Sequence, residues 1–354
     1  MIDVGFWKGK RVLLTGHTGF KGSWLSIWLA SMGAKVVGYG LAPPTDPSMF
    51  LETGVGNLLQ DIRGDIRNLT LLKSTIREVM PDIAIHMAAQ AIVRDSYSDP
   101  IMTYSVNVMG TANFLESLRG CDSVRAAVVV TTDKCYENKE WVWSYRENEA
   151  MGGYDPYSSS KGCAELIVSS YRQSFFNSEE YGRKHSLALA SARAGNVIGG
   201  GDYTKDRLIP DIIRSLRARH KVKIRSPYAI RPWQHVLEPL SGYLILAEKL
   251  FQHGCQYAEG WNFGPYDSGA RSVEWIVRKL CDKIPGSSGF ELDEGSNSHE
   301  ASYLKLDSSK AHARLGWEPC WDLDTALEKL VEWYYSDDEK YRKTLAQIND
   351  YSHL

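Results

Sequence analysis

Two clusters in this sequence have the residue types and spacing for proton chemistry. In VVVTTDKCYENKEW, residues 128–141, a strand-like run ends in Thr132, Asp133 and Lys134. A carboxyl and an amine therefore stand side by side where a buried strand opens into a polar loop. In YDPYSSSK, Tyr157 and Lys161 are four residues apart near the start of a helix, hence on one face of it. A phenol ordinarily titrates at about 10, and an ammonium beside it lowers that value toward a useful general base. Thr132 adds a hydroxyl at the end of the neighbouring strand. Adjacent Asp133 and Lys134 would ordinarily ionise each other. To serve as acid and base they must be desolvated toward neutral forms and titrate as a coupled pair. Alternatively, Lys134 stays charged and acts as an electrostatic stabiliser.

A third motif, TGHTGFKG, places Gly16, Gly19 and Gly22 between a strand and a helix. Glycine there permits a tight turn, close backbone approach to a pyrophosphate, and helix–strand packing; the helix N-terminus favours the phosphate charge. A dinucleotide site is expected. His17 and Lys21 lie in the same turn, either as solvated loop residues or as extra donors to cofactor phosphates. A ribose-binding carboxylate should follow the second strand, yet GYGLAPP is followed by no acid before Asp46. No arginine stands there for a 2′-phosphate, so NAD is expected rather than NADP. Asp65, in GDIR after the third strand, is placed to touch the adenine or to cap its loop.

Periodicity shows what must position these groups. KRVLLTG (10–16), KVVGYG (35–40), IAIHMAA (83–89), AAVVVTT (126–132) and SLALASARAG (186–195) read as strands. FKGSWLSIWLASMG (20–33), LTLLKSTIREVMP (69–81) and the stretches near 101–119 and 156–176 read as helices. Apolar strands alternating with helices imply a parallel sheet covered on both faces. Past residue 195 glycines and prolines cluster, and HVLEPLSGYLILAEKLF (235–251) with WNFGP (261–265) reads as a return to the sheet. Residues 272–284 and 323–337 read as amphipathic helices. The expected fold is α/β: a Rossmann-type doubly wound parallel sheet with a smaller, discontinuous α/β substrate-binding domain. The expected division is 1–190 plus about 234–265 for the dinucleotide, and about 191–233 plus 266–354 for the substrate.

Composition narrows the classes. The 354 residues carry a net charge of −2 and no long Lys/Arg run, which argues against nucleic-acid or membrane partners. A local basic pocket for a small anion stays open. Cys121, Cys135, Cys163, Cys255, Cys281 and Cys320 are scattered without CxxC spacing, as expected of reduced thiols and not of a disulfide framework or metal site. MIDVGFWKGK lacks a signal-peptide core, and no apolar run reaches the roughly 18 residues of a membrane span. A cytoplasmic enzyme is expected.

The elements TGHTGFKG, HMAAQ, NVMGT, TTD, YSSSK, RAGNVIGGGD and LGWEP together resemble the extended short-chain dehydrogenase/reductases over essentially the whole length. Within that superfamily the chain is similar to the nucleotide-sugar 4,6-dehydratases. Those usually carry Thr-Asp-Glu where this chain has Thr132, Asp133 and Lys134. The lysine variant, with HTGFKGSW, DKCYEN and GGYDPYSSSKG, resembles the branch acting on CDP-D-glucose.

The resemblance implies a hydro-lyase of deoxysugar and O-antigen (lipopolysaccharide) precursor synthesis, using NAD and forming a homodimer or homotetramer. Thr132, Tyr157 and Lys161 would serve the oxidation, with Asp133 as acid and Lys134 as base for loss of water. It also implies cofactor contacts at Gly16, His17, Gly19, Phe20, Lys21, Gly22, Asp65, Ile66, Ala88, Ala89, Gln90 and Asn107, besides Tyr157 and Lys161. Substrate contacts would fall at Arg94, Ser96, Asn196, Arg207, Leu208, Ile209 and Arg231. Arg207 and Arg231 suit a pyrophosphate through their bidentate fork, or a structural ion pair. Trp141 and Trp143 in EWVWSYRE would cover the site or pack a domain seam. Two rivals stand beside this reading: a 4-epimerase, which does not need Asp133 and Lys134, and a non-catalytic dinucleotide sensor, which has no use for a tuned phenol.

Overall fold

A computed structural model describes residues 1–224, 226–292 and 303–353. Its strands are β1 (Arg11–Thr15), β2 (Lys35–Gly40), β3 (Gln60–Arg63), β4 (Ile83–His86), β5 (Ala126–Val130) and β6 (Ala188–Ala194). Then follow β7 (Asn196–Ile198), β8 (Val222–Ile224), β9 (Ile230–His235), β10 (Gly260–Phe263), β11 (Ala270–Ser272) and β12 (Phe290–Leu292). Seven of them form one sheet in the order β10-β6-β5-β4-β1-β2-β3, parallel throughout.

Successive strand residues point to opposite faces, and both faces are apolar. Val12, Leu14, Ile83, Ile85 and Val128 pack with Trp24, Trp28, Leu240 and Leu244 on one side. Leu13, Ala84, Ala127 and Val129 pack with Leu72, Ile76, Phe114, Leu115 and Val168 on the other. The helices that cover these faces include Phe20–Ser31, Leu69–Val79 and Pro156–Ser174. From β1 the chain passes to β2 on one side, and β4 lies on the other. That reversal opens a crevice at the carboxyl ends of β1 and β4, where doubly wound folds bind ligands.

The expected long helix near 101–119 has an interruption. Pro100–Tyr104 runs through a π-helical segment, Ser105–Met109, into Gly110–Leu118. The stretch 235–251 does return to the sheet, but mostly as the helix Leu237–His253, which lies against β5 and β6. Buried nearly all round, it shows no polar stripe, so its apolar run carries little helical period.

Beyond the large sheet, β7 and β9 pair in parallel and β11 adds to β9 antiparallel, while β12 pairs with β8. Only Gly195 separates β6 from β7, so the small sheet is attached directly at the carboxyl edge of the large one. No helix among the described residues is long and apolar enough to cross a membrane. All six cysteines are free thiols.

Candidate active site

A cavity of about 850 Å³ opens at the carboxyl ends of the sheet. Its floor at one end is the glycine turn. Gly16 has φ +74°, and a Cβ there would come within 2.7 Å of the Ala88 nitrogen. A Cβ at Gly22 would lie 2.1 Å from the Gly16 carbonyl oxygen, so that glycine permits the helix to close on the turn. Gly19 caps the Phe20–Ser31 helix without a side-chain hydrogen bond, leaving the first amides of that helix free for an anion. The turn is braced from β4: Thr15 Oγ1 accepts from the amides of Met87 and Ala88 at 3.1 and 3.2 Å, and sits 2.7 Å from His86 Nδ1. This cradle fits a dinucleotide pyrophosphate. Ile66, Ala88, Ala89 and Gln90 also line the cavity.

Tyr157 and Lys161 enter from the Pro156–Ser174 helix, and Thr132, Asp133 and Lys134 from the end of β5; all five line the same cavity. Thr132 caps a 3₁₀ turn over Asp133–Cys135, where its Oγ1 accepts from the Lys134 amide at 3.4 Å. It donates to Asp133 Oδ1 at 2.9 Å. Asp133 is 2% exposed and its Oδ2 has no hydrogen-bond partner among the described residues. Burial holds the Asp133 carboxyl above its usual range, against the opposing pull of Lys134, the Thr132 hydroxyl and Arg231. The ionised state expected for an isolated Asp-Lys neighbour pair is thus disfavoured at the acid.

Burial sets the other two groups as well. Tyr157 is pushed up to about 12, tempered by Arg207 and the Thr132 hydroxyl. Lys161 is pushed down to about 8. The expectation that the ammonium depresses the phenol is therefore corrected. Both groups are desolvated, and the loss of water around the phenolate outweighs the groups that lower it, the Arg207 guanidinium and the Thr132 hydroxyl.

Several expected contacts fall elsewhere. His17 is wholly buried beside Gly38 and meets Asp61 Oδ1 through Nε2 at 2.9 Å, so its ring neither faces solvent nor lines the cavity. Burial lowers its pKa despite Asp61. Asn107 spends its amide on the chain: Oδ1 accepts from the Gln90 amide at 2.9 Å, and Nδ2 donates to Gln90 O and Ser160 Oγ. Ser96 is buried under the Pro156–Ser174 helix, where Oγ accepts from the Tyr157 amide at 3.2 Å and donates to Val93 O. Asn107 and Ser96 thus position the site without lining it. Trp141 stacks on Tyr145 with centroids 5.3 Å apart, which is packing, whereas Trp143 is exposed; neither lines the cavity.

Lys21 does line the cavity, but its charged neighbours are Lys161, Arg207 and Asp133, and its amine lies 6.0 Å from the Tyr243 ring centroid. Burial and the two cations push it down to about 7. Asp65 both lines the cavity and turns its own loop, accepting from the Arg67 amide at 2.8 Å and from the Arg67 guanidinium. Asn196, Leu208, Ile209 and Arg231 line the far wall. Arg94 and Arg207 line it too, each already paired: Arg94 with Asp206 at 2.7 Å, Arg207 with Asp202 at 3.2 Å.

Sequence reasoning missed a buried network behind the Pro156–Ser174 helix. Glu165 accepts from Thr131 Oγ1 at 2.5 Å, Ser191 Oγ at 2.7 Å and Arg193 at 2.7 Å. Arg193 also donates to the Tyr136 hydroxyl at 2.7 Å. Burial works to raise the Glu165 pKa, but the Arg193 charge and the hydrogen bonds from Arg193, Thr131 and Ser191 lower it overall. This anchor ties the helix bearing Lys161 to β6. A glutamate at i+4 from Lys161 on the same helix face was the available signal.

Comparison with known proteins agrees with this geometry. A family model described as GDP-mannose 4,6 dehydratase matches residues 13–330. The CDP-glucose 4,6-dehydratase of Salmonella typhimurium is 56% identical over 334 residues, covering 94% of this chain and 93% of that protein. Among solved structures, the dTDP-glucose 4,6-dehydratase DesIV of Streptomyces venezuelae, with NAD bound, aligns with a TM-score of 0.76 at 22% identity, over 92% of this chain and 97% of that one. The UDP-glucuronic acid 4-epimerase of Bacillus cereus, solved with UDP-glucuronic acid and NAD, gives 0.77 at 22% identity over 95% and 99%. At such identities the last two are likenesses of fold.

Proposed function

The chain belongs to the GDP-mannose 4,6-dehydratase family, and from that premise we propose that it is an NAD-dependent hydro-lyase converting CDP-D-glucose to CDP-4-keto-6-deoxy-D-glucose and water. The observation that carries this reading is the convergence on one cavity of an oxidation set, Thr132, Tyr157 and Lys161, with an additional acid and amine, Asp133 and Lys134. An epimerase needs only the first set. The high identity to a CDP-glucose 4,6-dehydratase over nearly the whole chain supports the substrate.

NAD bound at the glycine turn would accept a hydride from carbon 4 of the hexose and return it to carbon 6. The chain's own residues move the protons. Tyr157 in its phenolate form, which Arg207 and the Thr132 hydroxyl favour against burial, takes the proton of the 4-hydroxyl as carbon 4 is oxidised. The resulting ketone acidifies the hydrogen on carbon 5, and Lys134 removes it. Asp133, kept toward its neutral form by burial, protonates the departing 6-hydroxyl. Asn196, Arg207, Leu208, Ile209 and Arg231 are the proposed wall for the nucleotide diphosphate, together with Arg94. Residues 191–233 plus 266–354 are the proposed sugar-nucleotide domain, and 1–190 plus 234–265 the NAD domain, with β6 running on to Ala194. Location of β7, β9 and β11 outside the large sheet supports that division.

We further propose a cytoplasmic homodimer or homotetramer working in deoxysugar and O-antigen precursor synthesis. Exposed Ile101, Met109 and Leu166 lie on helical segments that pack side by side, which supports pairing of two copies there. Light scattering measures that state. The function itself is tested by incubating the protein and NAD with a panel of nucleotide-activated hexoses. Loss of one water from CDP-D-glucose alone is expected by mass spectrometry. A product of unchanged mass but new configuration would indicate an epimerase, and no change with any sugar would sink the reading.

A further inference from the structure

Behind the cavity, one imidazole stands between the glycine turn and the helix that carries Tyr157. His86, the last residue of β4, is buried and does not line the cavity. Its ring stacks on Phe114 with centroids 4.6 Å apart and planes 14° apart, so packing fixes the direction of both nitrogens. The hydrogen-bond partners fix where its hydrogen sits. Thr15 Oγ1 has one hydrogen and two lone pairs, and the amides of Met87 and Ala88 take both lone pairs at 3.1 and 3.2 Å. Its own hydrogen must therefore go to His86 Nδ1, 2.7 Å away, and that nitrogen carries none. The ring hydrogen is then on Nε2, which lies 3.3 Å from Thr111 Oγ1. Thr111 can accept there, because it already donates its own hydrogen to Asn107 O at 2.7 Å.

We propose that His86, as a neutral imidazole protonated on Nε2, is the joint that registers the cofactor turn against the first turn of the Pro156–Ser174 helix, and so sets Tyr157 relative to the cofactor cradle. It is a positioning residue for the reaction proposed above, and rests on that reading. On one side the joint ends at the glycine turn: the Ala88 nitrogen held by Thr15 is the atom that a Cβ at Gly16 would meet. On the other side it continues through Asn107, in the π-helical segment Ser105–Met109. Asn107 Nδ2 donates to Ser160 Oγ at 2.8 Å, and that hydroxyl donates to Tyr157 O at 2.7 Å. Asn107 also clasps the Gln90 backbone, with Oδ1 accepting from its amide and Nδ2 donating to its carbonyl, both at 2.9 Å.

The joint is buried along its length, since Thr15, Thr111, Asn107 and Ser160 are all buried. Bulk water does not compete for these bonds, and a donor or acceptor deprived of its partner there would be left unsatisfied. A charged ring would carry hydrogens on both nitrogens and turn one of them against the Thr15 hydroxyl, so the neutral form is the one that fits. Burial favours the same form, lowering the His86 pKa to about 3, with Lys161 adding to the effect. The two nitrogens reach parts of the chain 71 and 25 residues from His86. A side chain that only filled space at this position would need neither of them.

The state of the ring is read in wild-type protein, without substrate, by carbon–nitrogen correlation NMR of labelled samples, with His86 assigned through Ile85 and Met87. It should show a bare Nδ1 and a protonated Nε2, unchanged from about pH 5.5 to about 8.5, where an ordinary histidine titrates. A hydrogen on Nδ1, or a titration in that range, overturns the joint. Two variants that each keep half of it read its function. His86→Asn keeps an acceptor where Nδ1 stands and loses the reach to Thr111. With CDP-D-glucose, its single-turnover formation of NADH should slow by about 10–10²-fold, while the Kd for NAD by calorimetry stays within about 2-fold of wild type. His86→Gln keeps a donor toward Thr111 and leaves the Thr15 hydroxyl without its acceptor. Its Kd for NAD should rise about 10-fold, and NADH formation at saturating NAD should stay within about 3-fold of wild type. The same losses of rate and affinity in both variants, or no loss in either, would overturn the joint and leave His86 a packing residue. If wild-type protein itself forms no NADH with any nucleotide sugar, the proposed function fails instead, and the ring state and NAD affinities still decide the joint.

Discussion

Removing the Tyr157 hydroxyl isolates the oxidation step, because no other phenol among the described residues lines the cavity at the end occupied by Lys161. Tyr157→Phe should lose both turnover and transient NADH absorbance, by about 10²–10⁴-fold in rate. Near wild-type turnover would show that this helix does not carry the base. In the proposed mechanism Asp133 and Lys134 act only after the ketone exists, so their variants should keep the first half-reaction. Lys134→Ala should still give NADH absorbance yet exchange the carbon-5 hydrogen with solvent deuterium slowly. Asp133→Asn should exchange that hydrogen and stall at loss of the 6-hydroxyl, since an amide is a poor proton donor. Normal exchange in Lys134→Ala would falsify the base role and favour the electrostatic one. The cofactor prediction is also local. With no carboxylate in Leu41–Pro44 after β2, one charge-assisted hydrogen bond worth about 1.5–3 kcal/mol is missing. Activity of the purified protein should therefore rise on adding NAD, and full activity without any added or exchangeable NAD would contradict this.

At the scale of elements, the start of the Pro156–Ser174 helix determines where the phenol points. Asp155 caps it, with Oδ1 accepting from the Ser158 amide at 2.9 Å and Oδ2 accepting from Ser158 Oγ at 2.5 Å. Ser96 holds the Tyr157 amide from the other side. Asp155→Ala should cost about 1 kcal/mol, the usual worth of an N-cap. It should lower kcat more than it changes KM, because it loosens the first turn and leaves the nucleotide wall intact. Thermal unfolding and steady-state kinetics read the two effects separately. An unchanged melting temperature together with unchanged kcat would show that neighbouring packing alone fixes the turn. The motif YSSSK was legible because its two partners sit on one local element. Ser96 and Asn107, expected as ligand contacts, bond to the chain itself, and nothing local shows which way they point. Their partners are Tyr157, 61 residues away, and Ser160, 53 residues away.

Across the whole molecule, buried glutamates tie distant parts of the chain together and make stability depend on pH. Glu248 Oε1 accepts from Trp7 Nε1 at 2.6 Å and from the Asp3 amide at 3.1 Å, and burial pushes its pKa up to about 7. Glu238 accepts from Tyr351, Trp321 and Cys320, and burial pushes it up to about 7 as well. A carboxyl raised on folding stays protonated in the native chain while the unfolded chain has already ionised. Its contribution to stability is therefore greatest below about pH 4.3 and falls as the pH rises to about 7, by at most about 1.4 kcal/mol per pH unit. Glu248→Gln keeps an oxygen for both donors and removes the titration. It should flatten the decline between pH 5 and 7 in urea unfolding and be more stable than wild type at pH 8. An unchanged slope would show that Glu248 ionises freely. Residue types and short spacings by themselves determined the parallel α/β sheet, the glycine turn, the YSSSK face and the Thr132–Asp133–Lys134 corner, because each depends on neighbours within a few residues. Tertiary structure alone decided the protonation of that corner, the high pKa of Tyr157, the withdrawal of His17 toward Asp61 and the Glu165–Arg193 anchor. Desolvation and long-range pairing belong to everything packed around a group, and no local stretch of sequence contains that information.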